Sequence, residues 1–168
     1  AALLEMDFSP ARELMSCLAD PSEERPEDLP SLALECARRI RVLRANRVAL
    51  TLFGLGSLED MPADTTVLWD AGTHETFAAS LESQVRGEPA HLLPTSVVDC
   101  RGRQHHVLLS WSPSPGCEDT WERCLVSLVD VTEVEEARAA REAAEGRLRR
   151  VLESSPMGLQ LYRLCADG

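Results

Sequence analysis

The sequence contains no lysine: all 17 basic residues are arginine, against 28 acidic residues, for a net charge of −11. So acidic a chain lacks the basic surface that phosphate contact requires, which argues against nucleic acid as a partner. Arginine as the sole basic residue suits a GC-rich bacterial genome. No two of the six cysteines (Cys17, Cys36, Cys100, Cys117, Cys124, Cys165) form a CxxC pair. A structural metal site is therefore not expected, and free thiols in a reducing cytosol are the expected state. No apolar run approaches the ~18 residues of a membrane span, and no secretory leader pattern is present. The expected location is cytoplasmic, including the cytoplasmic part of a membrane-bound sensor, with no direct membrane contact from this segment. There is no Ser-His-Asp ordering, P-loop, HExxH or kinase dimerisation motif, so no catalytic residue and no metal site is assigned.

What is present is enough apolar material for a core, 44% of the chain. In the first half the pattern is helical. Phe8–Ala19 reads as a helix capped by Ser9, and Leu32–Ile40 as a second capped by Ser31. Arg41–Asn46 is a short strand, and Arg47–Phe53 a short helix ended by Gly54. His74–Arg86 is a longer helix, with Thr73 as its cap and Phe77, Ala78, Leu81 and Val85 on its apolar face. The second half changes to a period of two. Leu92–Cys100, Gln104–Ser112 and Trp121–Val131 read as antiparallel strands, with Val107, Leu109 and Trp111 on one side and Leu108, Ser110 and Ser112 on the other. Expected core residues are Leu43, Leu52, Phe53, Leu68, Phe77, Leu81, Val107, Leu109, Trp111, Val126 and Leu128. Glu133–Glu153 reads as a long helix with a thin stripe of Val134, Ala137, Ala144, Leu148 and Val151 near heptad spacing. Ser155–Gly168 breaks that helix and reads as a strand followed by a turn.

The ending D-V-T-E (Asp130–Glu133), a strand running into a charged helix, resembles the close of a PAS domain. The stretch VLRANRVALTLFG (Val42–Gly54) resembles the family's second strand and following helix, with Asn46 at a typical Asn position. VLLSWSPSPGCEDTWERCLVSLVDVTE (Val107–Glu133) is similar to its last two strands, and ESSPMGLQLYRLCADG (Glu153–Gly168) to the opening of a second PAS domain. The resemblance implies an α+β fold: an antiparallel sheet with helices on one face, an N-terminal helical extension (1–39), a PAS domain (40–132), a signalling linker helix (133–154) and the start of a second PAS domain (155–168). The family's first strand has no evident counterpart, since a helical stretch, LALECARRI, occupies its place. Met157–Leu164 is a candidate to fill that slot, in cis or from a dimer mate.

A ligand pocket is expected between the sheet and helix 74–86, lined by Phe53, Leu68, Trp69, Phe77, Leu81, Leu109, Trp111 and Val126. Trp69, Trp111 and Trp121 either line such a pocket or fill the core. Asp130, Thr132 and Glu133 are the candidate coupling residues, with helix capping as their structural role. His105 and His106, adjacent in a strand, point to opposite faces, and a solvated edge is expected for them. The Asn-Cys-Arg-Phe-Leu motif of flavin-binding light sensors is absent, and His74 stands at the first turn of its helix. Neither flavin nor haem is therefore favoured, and the cofactor is left unknown. Cys124 reads as an inert small hydrophobe. The function expected is a non-enzymatic sensory and dimerisation module of a bacterial signalling protein. A small-molecule signal would be relayed through helix 133–153, which also joins a homodimer, to a histidine kinase or diguanylate cyclase. The alternatives are a ligand-free protein–protein interaction module and a haem-based redox or gas sensor.

Overall fold

Residues 2–7 alternate between a buried and an open side: Ala2, Leu4 and Met6 are buried, whereas Leu3 is 38% exposed. That period of two makes them strand β1 (Ala2–Asp7) of a computed structural model that describes residues 1–14, 29–85 and 92–154. The other elements are α1 (Ser9–Leu14), α2 (Leu29–Arg39), β2 (Arg41–Ala45), α3 (Arg47–Phe53), α4 (Ala71–Val85), β3 (Leu93–Val98), β4 (Gln104–Pro113), β5 (Cys124–Asp130) and α5 (Thr132–Ser154). Short 3₁₀ turns lie at Leu58–Asp60 and Thr65–Leu68. The five strands form one antiparallel sheet in the order β2-β1-β5-β4-β3. With its helices this is the expected α+β class. Residues 1–131 form one compact unit; the second begins at Thr132 and is described as helix α5.

Strand β1 fills the slot that had no counterpart in the sequence reading. It pairs with β2 on one edge and with β5 on the other, in registers such as Glu5↔Arg44 and Leu4↔Val126. The slot is thus taken by residues 2–7 and not by Met157–Leu164, which lie outside the described residues, as does the rest of 155–168. The stretch 1–39 contributes a sheet strand as well as helices. Other expectations shift by local chemistry. Asp7 Oδ1, not Ser9, serves the start of α1, accepting from Ser9 N at 2.9 Å. Helix α2 starts ahead of Ser31, and α4 starts ahead of Thr73. Leu43 is 40% exposed and no core residue, because β2 is an edge strand and the β1–β2 register slips at Glu5/Met6. Strand β5 starts at Cys124, not Trp121, whose φ of 56° lies outside the extended region.

Asn46 joins β1 to α3. Its Oδ1 accepts from Ala49 N (2.8 Å), capping α3, and from Leu3 N (3.1 Å); its Nδ2 donates to Ala1 O (3.3 Å). At the other end of α3, Gly54 takes φ 71°, and a Cβ there would lie 3.0 Å from Cys100 Sγ. Cys100 N in turn donates to Phe53 O at 3.0 Å, fixing the end of α3 to the turn between β3 and β4. Helix α5 stands on its own charges: Arg138–Glu142 (2.9 Å) and Arg141–Glu145 (2.8 Å) are i,i+4 pairs.

Replacing Asn46 by Ala removes the cap and the tie to β1 together. Urea denaturation is expected to show a loss of about 1–2 kcal/mol, the upper part of the range for a lost cap. Asn46→Asp, which keeps an accepting oxygen, should lose less.

Candidate functional site

Helix α4 is held over the inner face of the sheet by polar ties at two points. Asp70 precedes it and accepts from Thr73 N (2.9 Å) and Thr73 Oγ1 (2.9 Å) through Oδ1. Its Oδ2 accepts from Gln104 Nε2 (2.9 Å) and from Ser96 Oγ. The α4 cap is therefore also a link to β3 and β4. Further along, buried Trp111 Nε1 donates to Ser80 Oγ (3.0 Å), which donates to Phe77 O (2.7 Å). Aromatic rings fill the space beside these ties: Phe8 stacks on Trp111 at 4.6 Å, and Trp69 meets Phe77 at 4.8 Å.

Between the ties the packing does not close. The volume open there to the centre of a water molecule is about 70 Å³. The sheet contributes Leu4, Met6, Val42, Val97, Leu109, Trp111, Val126 and Leu128, and the helical side Phe53, Thr65, Leu68, Thr73, Thr76 and Phe77; Phe8, Ile40, Met61 and Trp69 complete the wall. Of the pocket residues expected from the sequence, Phe53, Leu68, Trp69, Phe77, Leu109, Trp111 and Val126 lie on this wall. Leu81 does not: it is fully buried in the core, off the cavity. Trp121 is buried edge-on against Trp111 with Arg12 above its ring, and it too lies off the cavity. Sequence reasoning missed the contributions of β1 (Leu4, Met6) and the hydroxyls of Thr65 and Thr76.

His105 departs from expectation. It is 6% exposed, inside the sheet face and not on a solvated edge, while His106 is exposed. His105 Nδ1 lies 3.3 Å from Asp130 Oδ2 and Nε2 lies 3.5 Å from Asp99 Oδ2. The alternation that turns Val107 inward turns His105 inward as well, so the signal was present in the strand pattern. Hydrogen bonds from the backbone N–H of Arg103 and Arg101, with His105 beside it, hold the Asp99 carboxyl below the usual range against the effect of burial. Asp130, a candidate coupling residue, is the last residue of β5; Thr132 and Glu133 open α5. Cys36 and Cys124 are buried, and Cys100, Cys117 and Cys124 are free thiols. Burial first, with Cys117 and Asp7 adding to it, pushes the Cys124 thiol up to about 12, so it is no nucleophile. Among the described residues no group of His, Cys, Asp and Glu is placed to hold a metal ion, and no helix is long and apolar enough to cross a membrane.

No family model and no curated protein matches the sequence. Solved structures do resemble the chain. A sensory box histidine kinase/response regulator from Burkholderia thailandensis matches with a TM-score of 0.52 at 11% identity, over 88% of this chain and 91% of that one. A LOV protein from Rhodobacter sphaeroides gives 0.51 at 18% identity, over 89% and 74%. A light-oxygen-voltage domain studied with a flavin analogue gives 0.50 at 18% identity, over 87% of each chain. At these identities the likeness establishes the fold, which is that of PAS and LOV domains.

The Asp70 cluster generates a pH-dependent prediction. Burial alone would raise its pKa, but hydrogen bonds from Ser96, Thr73 and Gln104 prevail and hold it below the ordinary 3.8. A depressed carboxyl stabilises the native state fully above the unfolded value and loses that contribution as pH falls through the folded one. Asp70→Asn is expected to cost about 1–3 kcal/mol at pH 7, as for hydrogen bonds to a charged acceptor. The gap from wild type should narrow below pH 3.8 in denaturant titrations run across pH.

Proposed function

We propose that this chain is a non-catalytic sensory module of PAS type in a bacterial signalling protein. It takes a small molecule between sheet and α4 and passes the change through α5 to a histidine kinase or diguanylate cyclase output. One observation carries the reading. Strand β5 contributes Val126 and Leu128 to the cavity wall and then runs through Val131 directly into α5. A ligand that displaces β5 acts on the residues Asp130, Thr132 and Glu133 without an intervening loop. The PAS and LOV fold supports the same reading by analogy.

The light-oxygen-voltage neighbours raise the question of a flavin. The lining does not fit one. It contains no arginine to meet a phosphate and no cysteine; Cys100 Sγ lies outside it, 3.2 Å from Gly54 O. A fused-ring system with several polar edges would find threonine hydroxyls as its only polar side chains apart from Trp N–H groups. Haem fits no better, because no histidine lines the cavity: His74 stands beside Trp69, and His105 faces two carboxylates. A second reading, a ligand-free interaction module, draws on the apolar side chains open on the outer sheet face, Leu3, Leu125 and Val129. Native mass spectrometry separates the two: a copurified small molecule favours the sensor.

Two measurements test the relay. Val126→Phe, which fills the cavity from β5, is expected to change amide hydrogen exchange at residues 132–139 by about fivefold or more, the scale of ordinary site coupling. Altered exchange in β5 with none in α5 would remove the relay. We also propose a homodimer through α5, on which Val134 is 66% and Leu148 61% exposed. The pair Val134→Glu and Leu148→Glu should turn a dimer into a monomer by light scattering. A wild-type chain that is already monomeric at high concentration would remove the dimer.

A further inference from the structure

Four buried side-chain polar atoms have no hydrogen-bond partner among the described residues: Arg12 Nε, Thr65 Oγ1, Thr95 Oγ1 and His105 Nε2. Native interiors leave few such atoms, because each carries a desolvation penalty. Only Thr65 of the four belongs to the cavity wall. The acceptors near it are committed elsewhere: Asp64 Oδ1 serves Thr66 N (3.0 Å) and Thr66 Oγ1 (2.5 Å). On the same wall Thr73 Oγ1 donates to Asp70 and Ser96, and the Trp111 indole N–H, a donor and no acceptor, is engaged by Ser80.

We infer that the cavity takes a compact, uncharged, largely apolar molecule of about one ring, bearing a single hydroxyl or carbonyl that hydrogen-bonds Thr65. The inference rests on the reading of this cavity as a ligand site and names the ligand's class. Charge is disfavoured because no Asp, Glu, Arg or His lines the wall, so an ion would be desolvated without a partner. Size follows from the volume: one ordered water needs roughly 10–15 Å³ on this measure, so the cavity has room for about five to seven water-sized groups. Water is itself a poor occupant, since each molecule needs two to four polar partners and the wall offers few: the hydroxyls of Thr65 and Thr76, with Thr73 Oγ1 and Trp111 Nε1 already engaged. A molecule with one polar atom and an apolar body matches the wall on both counts. The rings of Phe8, Phe53, Trp69, Phe77 and Trp111 favour a flat body.

Phenol, toluene and benzoate, titrated into the whole chain by calorimetry and by amide NMR, test this. Phenol is expected to bind about three- to tenfold more tightly than toluene, the value of one net hydrogen bond, and benzoate not measurably. Thr65→Val should bind toluene as wild type does and lose the phenol preference, whereas Thr65→Ser should restore it. The ligand-free Thr65→Val protein should melt no lower than wild type, since it loses an unpaired hydroxyl; a clear drop would show that the hydroxyl has a protein partner and would overturn the assignment. Equal affinities for phenol and toluene, with shifts at Phe77 and Val97, would overturn the ligand class and leave the cavity a ligand site. Preferred binding of benzoate would also overturn it. No binding and no shift of any wall residue would remove the ligand-site reading and this inference together.

Discussion

The structure depends on one insertion, that of β1 between β2 and β5. Both of its edges are hydrogen-bonded, so without it the sheet would fall into a lone β2 and a separate β5-β4-β3 ribbon. A single strand is not stable by itself, and neither half would retain the inner face on which α4 lies. The chain pays a loop-closure cost to bring β1 back beside β2 across α1 and α2, but that cost rises only slowly with loop length. The return is a buried row of Ala2, Leu4 and Met6 and an anchoring of the strand's start by Asn46. Because Leu4 and Met6 are also wall residues, the cavity exists only while β1 is docked.

Why a cavity persists at all follows from how α4 is fastened. Interiors normally close to crystal-like density, and a void forfeits dispersion contacts along its lining. Here the helix is fixed at its start by the Asp70 cluster and along its length by the Trp111–Ser80 bond, both set by directional hydrogen bonds. Such bonds hold a helix at a distance that apolar packing alone would shorten. The stacked pair of Phe8 and Trp111 and the tilted pair of Trp69 and Phe77 act as rigid struts at the margins. Polar ties and flat rings together keep the middle open.

Much of this was legible in the sequence because its signals are local. The period of two in β3 to β5, Gly54 as a helix end and the charged run of α5 each lie within a few residues of the element they define, whereas Asn46, read as the end of the strand, caps α3. Strand β1 was not legible, for a physical reason. Its residues, ALLEMD, are mostly good helix formers without β-branching, and Leu3 on the outer face blurs the alternation. Tertiary pairing on both edges overrides that preference. Leu43 was misread because a register slip is invisible in a hydropathy pattern. Seven of the eight expected pocket residues lie on the wall, since any large apolar side chain facing inward from these elements must approach it. Thr65 could not be found in this way, because the lack of a partner is a property of the surroundings and not of the residue.

His105 shows how the two ends of β5 are linked in register. Val126, Leu128 and Asp130 alternate on the same side of that strand; the first two meet the cavity and the third meets His105. On β4, Trp111, Leu109 and His105 share that side, with Trp111 opposite Val126 and Leu109 opposite Leu128. The ladder therefore couples the wall to the His105 cluster as one rigid ruler: a slide or twist of β5 against β4 that changes the wall at Val126 also changes the separation of Asp130 from His105. Asp99, fixed by the N–H groups of Arg101 and Arg103 in the β3–β4 turn, lies 3.5 Å from the other ring nitrogen. The exposed carboxylate of Asp130, the last residue of β5, thus lies against a buried ring, and α5 begins two residues later. Apolar contacts of Val126 and Leu128 along β5 and the contact of Asp130 with His105 at its end tie this strand to β4 over its length.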